Sequence, residues 1–198
     1  MKQKLKSENT KDIILKSAFE SFFKNGFQAT SIDQIMDRTT LSKGAFYHHF
    51  KNKKELGELI ISTTVKDRIY NQMILPLFND DSPKLLLKSV FINKIETLSD
   101  FEKAHGCPAN ILINEIGNKE SVYQSALKRI IEEWKSALAA VIERGKYLGQ
   151  FKATTNSESM ALYLISAFEG FRGINTLYSN NYAIDQYIIA IETTIDNL

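Results

Sequence analysis

The sequence holds one cysteine, Cys107, three prolines, nine glycines and one tryptophan in 198 residues. A single cysteine allows no disulfide within the chain and no cysteine-cluster zinc site. A reducing, cytoplasmic location is expected. So few prolines and glycines exclude collagen-like and linker-rich chains and disfavour a many-stranded sandwich with its frequent turns. No uncharged apolar run approaches the ~20 residues a membrane span needs. The opening residues, MKQKLKSENTKD, carry charge but lack the apolar core of a signal peptide. A soluble intracellular protein with no membrane partner is therefore expected. Hydrophobic residues at 43% and charged residues at 24% are ordinary for a globular chain and argue against wholesale disorder.

Charge of one sign is scarce overall, with a net +2, yet its distribution is uneven. Residues 1–57 carry 11 Lys+Arg against 6 Asp+Glu, a balance of +5, and residues 58–198 carry 14 against 17, a balance of −3. A basic first quarter on an acidic body suits an anionic partner, whether nucleic acid or a membrane surface. Charge alone is equally compatible with a solvated face.

The apolar period is helical nearly throughout. Leu15, Ala18, Phe19 and Phe22 fall at i, i+3, i+4 and i+7, with Asn9 or Thr10 as cap and Gly26 as stop. Short helices follow, one capped by Thr30 or Ser31 and one begun by Ser42. Asn52 and Glu55 have capping-box spacing and open a longer helix towards Pro76. Pro83 starts a helix through about residue 101. Gly106-Cys107-Pro108 opens a short apolar piece over residues 111–116. Asn118 caps a long helix that stops near Gly145, and Ser157 starts another. Strand alternation is nowhere sustained. The fold expected is all-α, with a small N-terminal unit (1–57) and a larger helical bundle (58–198).

The informative stretch is residues 30–56, TSIDQIMDRTTLSKGAFYHHFKNKKEL. Two short helices meet at a tight turn around Arg38 to Leu41, and the second is slim enough to enter a major groove about 12 Å wide. Phe46 and Phe50, one turn apart, point into a core. Lys43 and Tyr47 then share the opposite, groove-facing side. Lys51, Lys53 and Lys54 follow at a helix N-terminus, where ammonium groups and backbone N–H groups both attract phosphate.

Gly26, Phe27, Thr30, Ser31, Ile32, Ile35, Leu41, Ser42, Lys43, Gly44 and the run Phe46-Tyr47-His48-His49-Phe50-Lys51-Asn52-Lys53-Lys54-Glu55-Leu56 resemble the DNA-binding signature of the TetR family of bacterial transcriptional regulators. The resemblance implies a homodimer whose N-terminal domains dock in successive major grooves of a pseudo-palindromic operator. A larger domain would dimerise through its last two long helices, hold a small-molecule effector and release DNA when it is bound. By position, Lys43, Gly44 and Tyr47 match base- and backbone-contacting residues. His49 and Lys53 match phosphate contacts, Thr30 matches the contact at the start of the bracing helix, and Ser42 and His48 join the set. Where the family usually has Gly in the turn, this chain has Thr40. A turn needing positive φ would be strained by a β-branched residue there.

Other residues invite sharper readings beside plain ones. His48 and His49 point about 100° apart on a helix, so they are poor joint ligands, and neither metal nor cofactor is expected. His105 and Cys107 lack a third orienting group for catalysis. Cys107 before Pro108, at a helix start, could be a redox or electrophile sensor, or a buried structural thiol. Aromatic residues line any cavity in the bundle, giving Phe91, Phe101, Cys107, Ile111, Trp134, Tyr163 and Phe168 as effector-pocket candidates. Asn114, Glu115, Arg144 and Arg172 are candidates for its polar groups. Gly170 and Gly173, i and i+3 in a helix, suit close backbone approach. With Phe168, Phe171, Ile184, Tyr187, Ile188, Ile191 and Ile195 they form a candidate four-helix dimer interface, against an internal packing contact.

A ligand-responsive repressor and no enzyme is the function expected. The alternatives are a Cys107-based sensing repressor, an all-α enzyme or carrier with an incidental basic N-terminus, and an architectural DNA binder without effector.

Overall fold

The computed structural model describes residues 2–117 and 121–198, with side chains from residue 8 onward. Asn118, the expected cap of the long helix, lies outside the described residues. Among them there is no strand, and no helix is long and apolar enough to cross a membrane. Eleven α-helices follow in order: α1 Lys2–Asn25, α2 Ile32–Asp37, α3 Lys43–His49, α4 Lys53–Ile60, α5 Lys66–Ile69, α6 Pro83–Glu96, α7 Asp100–His105, α8 Pro108–Ile116, α9 Ser121–Tyr147, α10 Ser157–Asn175 and α11 Tyr182–Asp196. They form two compact units, Met1–Lys66 with Pro108–Leu127, and Asp67–Cys107 with Lys128–Leu198.

In the first unit α1 buries Ile14, Ser17, Ala18, Ser21 and Phe22. The face is rotated from the expected stripe, because two serines are buried where Leu15 and Phe19 were expected. The hydroxyls make this possible. Ser17 Oγ donates to the Ile35 carbonyl at 2.8 Å and Ser21 Oγ to the Ser17 carbonyl at 2.8 Å, so neither buries an unmet donor. Gly26 ends α1 at φ 85°, in the region where glycine is favoured.

The helix opened by Asn52 is longer and less regular than expected. After α4 come a π-helical stretch Ile61–Val65, α5, a second π stretch Tyr70–Ile74 and a 3₁₀ turn Leu75–Phe78 holding Pro76. Ser62 and Thr63 hydroxyls donate to the Glu58 and Leu59 carbonyls at 2.8 and 2.6 Å, competing with the regular backbone ladder.

The second unit packs α6 and α10 on α11, with α7 against α10. Phe91, Trp134, Leu138, Leu164, Phe168, Ile191 and Ile195 are its buried core. The helix from Pro83 ends at Glu96, short of the expected 101, because Ser99 caps a new helix. Its hydroxyl accepts the Glu102 N–H, and the Glu102 carboxylate accepts the Ser99 N–H. α9 runs past Gly145 and stops before Gly149, which supplies positive φ at 67°. Gly145 stays helical, and a Cβ there would collide with the Phe151 ring.

Candidate nucleic-acid interface and effector cluster

α2 is fixed at its start by a full capping box. Ser31 Oγ accepts the Gln34 N–H at 3.1 Å, and Gln34 Oε1 accepts the Ser31 N–H at 2.8 Å. At its end Thr39 is the fastener: Oγ1 donates to the Met36 carbonyl at 2.8 Å and accepts the Leu41 N–H at 3.1 Å. The turn therefore closes through a threonine side chain. No non-glycine residue among those described has positive φ, so Thr40 carries no such strain and the expected cost of losing glycine does not arise.

α3 has two unlike faces. Phe46 and Phe50 are buried and in ring contact at 5.6 Å between centroids. Ser42, Lys43, Gly44, Tyr47 and His48 are exposed, Tyr47 at 54% despite its size. Gly44 has no side chain to hold a groove wall away, and a Cβ there would meet only the Ser42 hydroxyl, at 3.6 Å. Lys43 Nζ lies 2.6 Å from Asp33 Oδ1 on α2, and that hydrogen bond raises the lysine pKa. Its charge stays on at any physiological pH. His49 is half-buried, and burial, then the charges of His48 and Lys11, push its pKa below the ordinary histidine value. Near neutrality it offers a ring N–H more than a positive charge.

Two expected DNA contacts, Thr30 at the start of the bracing helix and Lys53 on phosphate, occupy unexpected positions. Thr30 is buried, its Oγ1 donating to the Gly26 carbonyl at 2.7 Å. Lys53 Nζ donates to the carbonyls of Phe27 and Thr30 at 2.9 Å each and of Gln28 at 3.4 Å, and sits 4.7 Å from the Phe27 ring centroid. Burial lowers its pKa, with Glu115 pulling the other way. Glu115 closes the same turn from α8: its Oε2 accepts the Gln28 N–H at 3.1 Å, and a Cβ on Gly26 would strike its carboxylate. Sequence reasoning missed this knot, because nothing in the spacing links position 53 or 115 to residues 27–30. Asn52 Oδ1 accepts the Glu55 N–H at 2.9 Å, while Glu55 reaches back one residue further than expected, to the Lys51 N–H at 2.8 Å. Lys51 is exposed on this shoulder.

In the second unit the expected pocket residues divide. Phe91, Trp134 and Phe168 are fully buried together, with Phe168 centroids 5.5 Å from Phe91 and 6.0 Å from Trp134. Tyr163 and Phe101 are substantially exposed, at 53% and 38%, and Phe101 stacks on His105 at 4.2 Å. Ile111 belongs to the other compact unit. Cys107 is buried and its thiol hydrogen-bonds the Glu169 carboxyl, so it lacks the exposure of a sensing thiol. Of the polar candidates Arg172 is buried, whereas Arg144 ties the Asn79 and Asp81 carbonyls at 3.2 and 2.8 Å. Asn114 bonds Asn110, one turn earlier on its own helix, at 2.9 Å.

Glu102 is the centre that the sequence did not reveal. Its Oε1 accepts from Lys94 at 2.8 Å, Arg68 at 3.1 Å and Arg172 at 3.4 Å. Burial alone would push this carboxyl up, but the Lys94 hydrogen bond and charge, with Ser99, overcome that and hold it at about 2. Capping-box spacing at Ser99 and Glu102 was the available signal. The cations come from three other helices.

The candidate interface residues also divide. Phe168, Phe171, Ile191 and Ile195 are buried by their own chain, and Tyr187 stacks on Phe171 at 4.4 Å between centroids, with Ile184 and Ile188 half-buried beside them. Gly170 and Gly173 face open space, so no internal contact accounts for them. They share an exposed face of α10 with Leu162, Tyr163, Ile174 and, just beyond, Leu177; neighbouring α11 exposes Tyr182 and Ile189.

Residues 14–59 match the family described as bacterial regulatory proteins, tetR family, and residues 87–191 match the tetracyclin repressor-like C-terminal domain. An uncharacterized HTH-type transcriptional regulator from Lactococcus lactis is 29% identical over 66% of this chain and 67% of its own. The HTH-type transcriptional repressor DhaR of a Mycobacterium species is 23% identical over 90% of this chain and 88% of its own. Among solved structures, a TetR-family transcriptional regulator from Cytophaga hutchinsonii superposes with a TM-score of 0.82 at 21% identity, covering 96% of this chain and 94% of that one. With both halves matched in order, the chain belongs to the TetR family of helix-turn-helix transcriptional regulators.

Proposed function

We propose that the protein is a ligand-responsive repressor that binds a pseudo-palindromic double-stranded operator as a homodimer and leaves it when a small-molecule effector binds. The observation that carries this reading is the two-faced α3: Phe46 and Phe50 anchor it, while Ser42, Lys43, Gly44, Tyr47 and His48 are exposed to solvent. In this reading residues 1–57 contact DNA and residues 58–198 bind effector and dimerise. Lys43, Gly44 and Tyr47 meet bases and nearby backbone, and His49 and Lys51 meet phosphate. Thr30 and Lys53 hold the turn that aims the reader. The dimer face is the outer side of α10 and α11, where Gly170 and Gly173 let backbones approach and Ile174, Leu177 and Ile189 supply apolar area. The chain acts as a switch on DNA in the cytoplasm and carries no reaction of its own.

Selection of bound sites from a random DNA pool tests the reading. The expected product is an inverted repeat with half-sites a whole number of helical turns apart, bound by an even number of chains. A pool that shows no enrichment, or a single unrepeated half-site, contradicts it.

A further inference from the structure

The first two turns of α1 have no core to serve. α1 begins at Lys2, yet Ile14 is the first buried residue among its described side chains, and Glu8, Asn9, Asp12 and Ile13 are exposed. From Lys2 to Asp12 the sequence offers one apolar residue, Leu5. It offers charge of one sign instead: residues 2–7 hold Lys2, Lys4 and Lys6 and no carboxylate. Those lysines supply three of the five net positive charges of residues 1–57. Cations at a helix start oppose the helix dipole, and no burial offsets that cost here. A local rule broken without a structural gain points to a partner.

Three contacts within the first unit show where this end of α1 leads. Glu20 pairs with Arg38 at 3.1 Å, and Ser17 Oγ bonds the Ile35 carbonyl at 2.8 Å. Further back along the helix, Lys11 Nζ stands 5.9 Å from the Phe50 ring centroid, and its charge reaches His49. Followed towards its start, α1 therefore passes α2 and then the end of α3. The residues before Lys11 continue beyond the shoulder that carries His49 and Lys51. Lys4, seven residues before Lys11, lies on the same face of the helix. From Lys11 back to Lys2 the axis spans about 14 Å, against ~3.4 Å per phosphate along one strand of a duplex.

We infer that this overhang is a second DNA contact, in which Lys2, Lys4 and Lys6 meet phosphates next to those met by His49 and Lys51. The inference rests on the reading of α3 as the part that meets DNA and adds a backbone clamp beside it. Lysine holds phosphate as a point charge and reads no base here, so the clamp adds affinity equally on every sequence. It also steepens the dependence on salt, through the counterions displaced. Duplex DNA is the occupant because the charge is complementary and the overhang continues the DNA-reading surface. A membrane surface would need an apolar helix face, and Leu5 alone does not make one.

The experiment compares the full-length protein with the triple variant Lys2→Gln, Lys4→Gln, Lys6→Gln, which keeps helix propensity and removes the charge. Affinity is measured over a range of salt, on the selected operator and on random DNA of the same length. The slope of log affinity against log salt should flatten by ~1.8 for a dimer that engages one of these lysines per chain, and by ~5.4 for all three. Both DNAs should weaken by the same factor, at least about tenfold at ~0.1 M salt. The urea midpoint should not move, since the core of α1 begins at Ile14. Phosphate ethylation interference then separates contact from a longer-range field. Ethylation should block the unaltered protein at phosphates to which the variant is indifferent, while those of His49 and Lys51 stay marked in both. An unchanged slope, a lowered urea midpoint, or one set of marked phosphates for both proteins overturns the assignment. If a site is selected and the slope holds, the overhang falls and the reader stands. If no site is selected, the operator reading has failed, and the slope on random DNA still decides the overhang.

Discussion

The Lys53 ammonium is spent on the carbonyls of Phe27, Gln28 and Thr30, whereas Lys51, two residues earlier, stands exposed. The two lysines are equal in a charge count and unequal in role. Lys53→Ala leaves carbonyls in a tight turn without a donor and is expected to destabilise the protein by about 1–3 kcal/mol, read as a lower urea midpoint. Lys51→Ala should leave that midpoint in place and flatten the slope of log affinity against log salt by about 1.8, or ~0.9 for each chain of the dimer. A Lys53→Ala protein of normal stability with the flattened slope would show that its ammonium serves phosphate instead. The turn at Thr39 and Thr40 follows the same logic. A departure from glycine looked like strain in the sequence, but the Thr39 hydroxyl closes the turn at ordinary φ. Sequence spacing reports neither a backbone angle nor the destination of a proton.

At the scale of elements, local signals were legible and long-range ones were not. The capping residues Ser31 and Asn52, the stop at Gly26 and the inward pair Phe46 and Phe50 depend on neighbours within one helical turn, and each is where its spacing predicts. The break between α6 and α7 was missed, since an apolar period runs on past Glu96 while the Ser99 cap interrupts the backbone. The four-member cluster at Glu102 joins α5, α6, α7 and α10, so no window of sequence contains it. It makes a clear stability prediction. Glu102→Gln leaves Lys94 and Arg172 buried without a carboxylate and is expected to cost about 3–5 kcal/mol in denaturant unfolding. In the unaltered protein Glu102 is depressed to about 2 from 4.5. A depressed carboxylate stabilises above its unfolded pKa and loses that contribution as pH falls towards the folded value. A loss of roughly 3 kcal/mol is expected between about pH 5 and pH 2, and Glu102→Gln should flatten that decline. An equally steep acid transition in the variant would place the titrating group elsewhere.

For the whole molecule, the proposed homodimer joins its two DNA readers through the exposed face of α10 and α11. The helical stripe Tyr187, Ile191 and Ile195 was legible as apolar, but period alone does not say which of two apolar faces a chain keeps for itself. Here that stripe turns inward, and the glycines with Ile174 and Ile189 lie outward. Ile174→Asp puts a charge on the outward face without disturbing the core, since Ile174 is 57% exposed in the chain alone. Sedimentation should shift from dimer to monomer at unchanged helicity, with operator affinity falling at least about tenfold as the second reader is lost. A dimer that survives Ile174→Asp would place the interface on another surface. The central claim is that the exposed surface of α3 reads sequence, and Tyr47→Ala tests it most directly. Binding to the selected operator and to random DNA of the same length is measured at one salt concentration for both proteins. The account predicts a loss of about 1–3 kcal/mol on operator, or roughly ten- to a hundredfold, with little change on random DNA. Equal losses on both DNAs, or none on operator, would contradict it.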